Sequence, residues 1–295
     1  MKHAARLVPI AVALSLLVVL PALTGCGKKE DPILALSSAE ALQIGKDLFA
    51  KEKWSRARRY LSHAFETEPN SAGGREALLM VADTFYLQGG EENYIQAEAK
   101  YRDFLARFPT SDRAPYVQYQ IGNSLARRTE RADRDQTVTR KALQAYEELL
   151  VLYPTSEYAA LAREQIQVVK DQLAEHEFVV GAFYLRYGIP VAAVHRFEGL
   201  LADFPDYSQR EKLYYQLTVA YHRNKEPEKA GETLHRLERE FPNSEFLRKI
   251  PDRIRKAIEQ AKTAKAEADE EKGIEAAAGH PEQPDSGQGG GSGPG

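Results

Sequence analysis

The chain has 295 residues, of which 28% are charged and 43% hydrophobic, with a formal net charge of −3. That length holds one or two domains. The mildly acidic balance excludes the clustered basic footprint of a nucleic-acid binder, and a single cysteine excludes an internal disulfide framework.

The first segment reads in three zones. Lys2, His3 and Arg6 make a basic start, residues 7–20 are apolar apart from Pro9 and Ser15, and Leu23-Thr24-Gly25-Cys26 follows. This order is that of a secretory signal. A membrane-crossing helix takes about 20 apolar residues, which the stretch barely approaches. The tetrad resembles the lipobox of bacterial lipoproteins. That resemblance implies cleavage before Cys26, a diacylglyceryl thioether on its sulfur and an acyl group on its new amine. These lipids are covalent, and no other cofactor is expected. Two or more acyl chains anchor stably where one anchors marginally. Gly27, where such lipoproteins carry Asp for retention on the inner membrane, permits the outer one. Loss of residues 1–25 removes Lys2 and Arg6 and leaves 270 residues with a net charge of −5.

Residues 26–33 read as a short polar tether. Residues 34–245 are rich in Ala, Leu, Glu, Arg and Tyr, the usage of amphipathic helices, with no alternating run that would make a strand. Ser37-Ser38-Ala39-Glu40 is a capping box that opens the first helix.

Five Pro-containing boundaries then recur: Glu68-Pro69-Asn70-Ser71, Phe108-Pro109-Thr110-Ser111, Tyr153-Pro154-Thr155-Ser156, Phe204-Pro205-Asp206 and Phe241-Pro242-Asn243-Ser244. Proline ends a helix at the preceding residue, and Asn, Ser, Thr or Asp begins the next. Twelve residues before each proline stands an alanine: Ala57, Ala97, Ala142, Ala193 and Ala230. Eight before stands Leu61, Tyr101, Tyr146, Phe197 or Leu234, and five before stands Ala64, Phe104, Leu149, Leu200 or Leu237. Steps of four and three put these on one helix face.

The spacing is that of the second helix of a tetratricopeptide repeat. Gly45 and Gly181 stand at the first-helix glycine position of repeats one and four, 24 residues before the proline. Repeat two needs a short insertion near residues 88–93, and repeat three a longer, charged one over residues 127–139. The expected fold is therefore all-α: a solenoid of about five helix pairs with a C-terminal capping helix, rather than a bundle with coincidental prolines. Residues 156–187 contain no proline and read as one long helix. Leu247, Ile250, Ile254, Ala257, Ile258 and Ala261 follow a helical period, so residues 246–272 form a charged helix that caps the last repeat. Residues 273–295 make a Gly/Pro/Ser-rich tail that cannot bury enough apolar surface to order itself.

No catalytic or metal-ligand spacing is present. Glu175-His176-Glu177 looks acid–base-like, but adjacent helical residues do not share a face, and a helix surface with one interfacial histidine accounts for it. The chain is expected to be a non-enzyme that offers surface. In tetratricopeptide geometry the first helices line a concave groove. That groove would present Phe49, Asp83, Tyr86, Tyr116, Tyr119 and Asn123 in the first three repeats, and Phe178, Arg186, Tyr215 and His222 in the last two. Aromatics with a few polar groups suit an extended peptide.

Four stretches go further: Ala97-x-x-x-Tyr101-x-x-Phe104-Leu105-x-x-Phe108-Pro109-x-Ser111; Asp133-Arg134-Asp135-Gln136-Thr137; Leu173-Ala174-Glu175-His176-Glu177-x-x-Val180-x-x-Phe183-Tyr184; and Ala192-Ala193-Val194-x-Arg196-x-Glu198-Gly199-Leu200-Leu201. With the lipobox and five repeats, they resemble the BamD (ComL-type) family of lipoproteins. The resemblance implies an assembly factor on the periplasmic face of the outer membrane, held in its inner leaflet by lipid. It further implies partners: BamA, other subunits of the barrel assembly machinery, and unfolded β-barrel precursors, with no nucleic acid. Arg196 stands at the family's R-x-E-G position and is expected on the BamA-facing surface. The alternative is another periplasmic repeat lipoprotein that coordinates peptidoglycan synthesis or envelope constriction.

Overall fold

The computed structural model describes residues 31–278, with side chains to residue 272. The signal segment, Cys26 and the last part of the tail lie outside the described residues. Every described element is helical. A 3₁₀ turn (Pro32–Ala35) precedes α1 (Ser38–Ala50), α2 (Trp54–Thr67), α3 (Ala72–Gln88), α4 (Glu91–Arg107), α5 (Ala114–Ala126), α6 (Thr137–Leu152), α7 (Glu157–Arg186), α8 (Pro190–Asp203), α9 (Arg210–Arg223), α10 (Pro227–Glu240), α11 (Glu245–Lys249) and α12 (Asp252–Ala278). The described residues form two compact units that divide between Val81 and Ala82. In the second, each helix from α4 to α10 packs on the next, and α12 closes on α10.

The residues before the five prolines end α2, α4, α6, α8 and α10. Each donates its N–H to the carbonyl four residues back, on Ala64, Phe104, Leu149, Leu200 or Leu237, with φ between −138° and −130°. All fifteen periodic positions counted back from the prolines are buried. That common burial makes the sequence period a packing period.

The alanine and bulky positions act together with a glycine on the preceding helix. A Cβ on Gly45 would lie 2.7 Å from Leu61, one on Gly122 2.4 Å from the Tyr146 ring, and one on Gly181 2.5 Å from the Phe197 ring. Only glycine admits the large residue at this depth. Gly122 holds this position although the insertion displaces it in sequence. In repeat five the position is Thr218, fully buried, whose hydroxyl donates to the Tyr214 carbonyl.

In the first unit, Ser37 and Glu40 form the capping box of α1 with both reciprocal bonds present. Ser38 Oγ donates to the Ala64 carbonyl at 2.9 Å, and Asp31 pairs with Arg59 at 2.6 Å. The folded body thus includes Asp31, inside the stretch read as tether.

The 30-residue α7 runs unbroken from the Ser156 cap to Tyr187, as the absence of proline predicts. The C-terminal cap differs from the single helix expected over residues 246–272. Pro251 lacks an N–H and bars Ile250 from the helical region. Ile250 is therefore extended (φ −69°, ψ 117°), α11 stops at Lys249 and α12 begins at Asp252. Ile250, Ile254 and Ile258 are buried in the core that also holds Leu234 and Leu237. Helix α12 then continues to Ala278, past the expected boundary at residue 272.

Three substitutions test this packing by chemical denaturation. Gly122→Ala forces a methyl into the Tyr146 ring and is expected to cost about 1–3 kcal/mol. Ile254→Ala removes a buried side chain, with an expected loss of about 2–5 kcal/mol. Gly199→Ala, where a Cβ meets nothing within 4 Å, should instead stabilise by about 0.5–1 kcal/mol through helix propensity.

Candidate binding cleft

Three of the six groove residues expected from sequence come together. Tyr86, Tyr119 and Asn123 line one cleft of about 430 Å³ with Arg127, Tyr146, Gln165, Val168 and Gln172. Tyr119 stands with its ring centroid 5.9 Å from Tyr146 and 5.7 Å from Tyr158. Tyr86 contacts Tyr94 at 5.7 Å. The guanidinium of Arg127 is held protonated above its ordinary range, chiefly by its hydrogen bond with the Tyr86 hydroxyl. Val168 is 59% exposed. The cleft therefore offers aromatic faces, side-chain amides, one cation and one open aliphatic.

Asp83 and Tyr116 have a different task. Asp83 Oδ1 accepts from the hydroxyls of Tyr101 at 2.7 Å and Tyr116 at 2.8 Å. Gln120 Nε2 donates to the Tyr116 oxygen at 3.0 Å, Asn123 Nδ2 donates to Gln120 Oε1 at 2.8 Å, and Tyr146 donates to Asn123 Oδ1 at 2.8 Å. This chain of bonds runs from α3 to α6 and ends on two residues of the cleft. Burial raises the Asp83 carboxyl, while its two tyrosine bonds oppose the rise. Desolvation raises the phenols of Tyr101, Tyr116 and Tyr146, so they remain donors. Asp83 and Tyr116 fix the cleft's residues instead of offering their polar groups to a ligand.

Phe49 belongs to the first unit and packs edge-on against Trp54 at 5.1 Å. Of the residues expected in the last two repeats, Phe178 is buried against Phe197, with Lys212 Nζ 4.0 Å from its ring centroid. Tyr215 packs on Phe246 at 5.4 Å. Arg186 is exposed and His222 half-buried.

The charged insertion is ordered. The buried Gln136 amide donates to the Arg131 and Arg134 carbonyls and accepts from the Thr139 hydroxyl. Asp135 caps Thr137, whose hydroxyl and N–H hold the carboxyl below its ordinary range. Gln172 donates to the Glu130 carbonyl, and His176 Nδ1 lies 2.6 Å from the Ala132 carbonyl. His176 is thus an interfacial residue that fastens this loop to α7. Sequence reasoning overlooked the α7 side of the cleft, although residues 165, 168 and 172 recur at helical spacing.

Arg196 is exposed on α8 and pairs with Glu177 of α7 at 2.9 Å. The turn between the same two helices and the helix ends that flank it carry Phe183, Tyr187, Ile189 and Val191, which are 45–66% exposed. Phe183 and Tyr187 stack at 4.4 Å, and Gly188 turns the chain at φ +78°.

Among the described residues no helix is long and apolar enough to cross a membrane, and no group of acidic, His or Cys side chains could hold a metal ion. A family model described as outer membrane lipoprotein (YfiO) matches residues 35–233. Relatives named outer membrane protein assembly factor BamD align with the chain in three organisms. The Caulobacter vibrioides protein is 29% identical over 72% of this chain and 70% of its own length. That of Neisseria gonorrhoeae is 27% identical over 81% and 92%, and that of Haemophilus influenzae 27% identical over 71% and 82%. The matched span covers the repeats from the first helix into α10, and the chain belongs to the YfiO/BamD family of outer membrane lipoproteins.

Proposed function

We propose that the protein serves as an outer membrane protein assembly factor within a barrel assembly complex, held to the membrane by lipid on Cys26. Its cleft takes extended segments of unfolded β-barrel precursors, and the Arg196 surface docks on BamA. The observation that carries the first part is the meeting of Tyr86, Tyr119 and Asn123 in one cleft whose floor is fixed by hydrogen bonds. An unfolded barrel strand alternates apolar and polar side chains and exposes its main chain. Aromatic faces suit its apolar side chains. Asn123 is held by its bonds with Gln120 and Tyr119, which fixes the aromatic wall that the peptide would meet.

The second part rests on Arg196 and Gly199. They stand three residues apart and so share a face of α8. Glycine in a helix interior costs about 1 kcal/mol relative to alanine, yet no side chain of the protein fills the space above Gly199. Such a vacant position admits close approach by another chain. The ordered apolar turn at Phe183 and Tyr187 adds a hydrophobic element on the same helix pair, in keeping with an interface core.

Tyr119→Ala should weaken binding of an unfolded barrel segment by about 1–2 kcal/mol, roughly tenfold, in an anisotropy titration with full-length protein. Unchanged affinity in a folded variant removes the cleft from the proposal. Arg196→Glu should reduce co-purification with BamA. Adding Glu177→Arg repairs the internal ion pair, so recovery in the double variant would assign Arg196 to that pair alone. Gly199→Leu should weaken BamA docking without loss of stability, and equal docking would contradict an interface there.

A further inference from the structure

A second cleft, of about 470 Å³, lies between α10 and α12. The two helices run antiparallel. Glu238 faces Arg255 at 3.6 Å, Gly231 faces Ile258, and Glu228 faces Lys265 at 4.0 Å. The floor is apolar and small, made by Gly231, Ile258 and Ala261. Its walls carry His235, Arg236, Arg239, Lys262 and Lys265 against only Glu228 and Glu232. All of α12 and the cleft's basic residues on α10, His235, Arg236 and Arg239, follow residue 233, where the family model ends.

Beyond this cleft α12 continues with every side chain from residue 262 to 272 exposed. That stretch carries Glu267, Asp269, Glu270 and Glu271, none of which makes an ion pair with another described residue. One helix thus has a basic half beside an apolar-floored cleft and an acidic half with nothing packed on it. A helix that is polar all round needs charge pairing or a partner to persist.

We propose that the α10–α12 cleft receives the acidic 267–271 run of α12 from a second copy of the chain. The charge order along α12 makes this arrangement self-complementary. An antiparallel pairing about a two-fold axis at Ala266 sets Lys262 opposite Glu270, with Asp269 beside it on the same face, and the same contact recurs on the other side. A two-fold contact of this kind is isologous and closes at two copies. Each exposed ion pair is worth up to about 1 kcal/mol and is screened by salt, so the association is weak and salt-dependent. Two-dimensional confinement on a membrane favours it. The proposal does not use the Tyr119 cleft or the Arg196 surface and stands apart from their roles.

The test uses the full chain in mild detergent, with Ala266→Cys to report the axis. Mild oxidation at low salt should give a disulfide-linked dimer that is lost at high salt. Combined Glu267→Lys, Asp269→Lys and Glu270→Lys should abolish it, with helical content unchanged by circular dichroism. Mixing that variant with one carrying Arg236→Glu, Lys262→Glu and Lys265→Glu should restore a mixed dimer. Absence of cross-linking at low salt, or a dimer indifferent to charge reversal, would overturn the proposal. So would an acidic peptide that occupies the cleft while the chain stays monomeric in sedimentation.

Discussion

Close approach within each helix pair is the constraint on which the rest of this fold depends. Where the first helix of a pair carries Gly45, Gly122 or Gly181, the second sets Leu61, Tyr146 or Phe197 into the space that a Cβ would fill. Alanine one turn earlier on the second helix is fully buried in every repeat. Small residues set the distance and one large residue sets the register. Once register is fixed, side chains that flank the glycine face of the first helices fall at repeated positions, which is how Tyr86, Tyr119 and Asn123 reach one cleft. Tyr146 links the two roles. Its ring fills the space above Gly122, and its hydroxyl orients Asn123.

The polar chain from Asp83 to Tyr146 adds a second kind of order. A buried carboxylate is stable only when its lone pairs are satisfied. Asp83 meets that condition with two tyrosine hydroxyls, and the same bonds leave Asn123 with a defined orientation. A cleft for many different unfolded clients benefits from fixed walls, because the ordering cost then falls on the peptide alone. Shape and aromatic surface, not a unique set of charges, would recognise such clients.

Much of this was legible in the sequence because the repeat is a local pattern. The five proline boundaries, the alanine spacing, the Ser37 capping box and the unbroken α7 follow from propensity and periodicity alone. The insertion at residues 127–139 hid Gly122, since a fixed count back from Pro154 no longer reaches it. Pro251 was passed over because the isoleucines around it keep a helical period through the break. The roles of Asp83 and Tyr116 were not readable. First-helix geometry places both near the groove, but whether a polar group faces a ligand or a neighbouring tyrosine is decided by contacts 18 and 33 residues apart. The α7 side of the cleft was missed because a 30-residue helix serves two neighbours, α6 and α8, and its sequence shows no single face.

The central claim is that the Tyr119 cleft holds outer-membrane barrel precursors on their way into the membrane. The most direct measurement replaces Tyr119 with a photoreactive phenylalanine analogue in the lipid-anchored protein, irradiates native membranes and identifies the adducts by mass spectrometry. The account predicts adducts with newly exported β-barrel proteins that disappear when their export is blocked. Adducts confined to other partners, or none while the same analogue at exposed Val151, outside the cleft, captures barrel precursors, would contradict it.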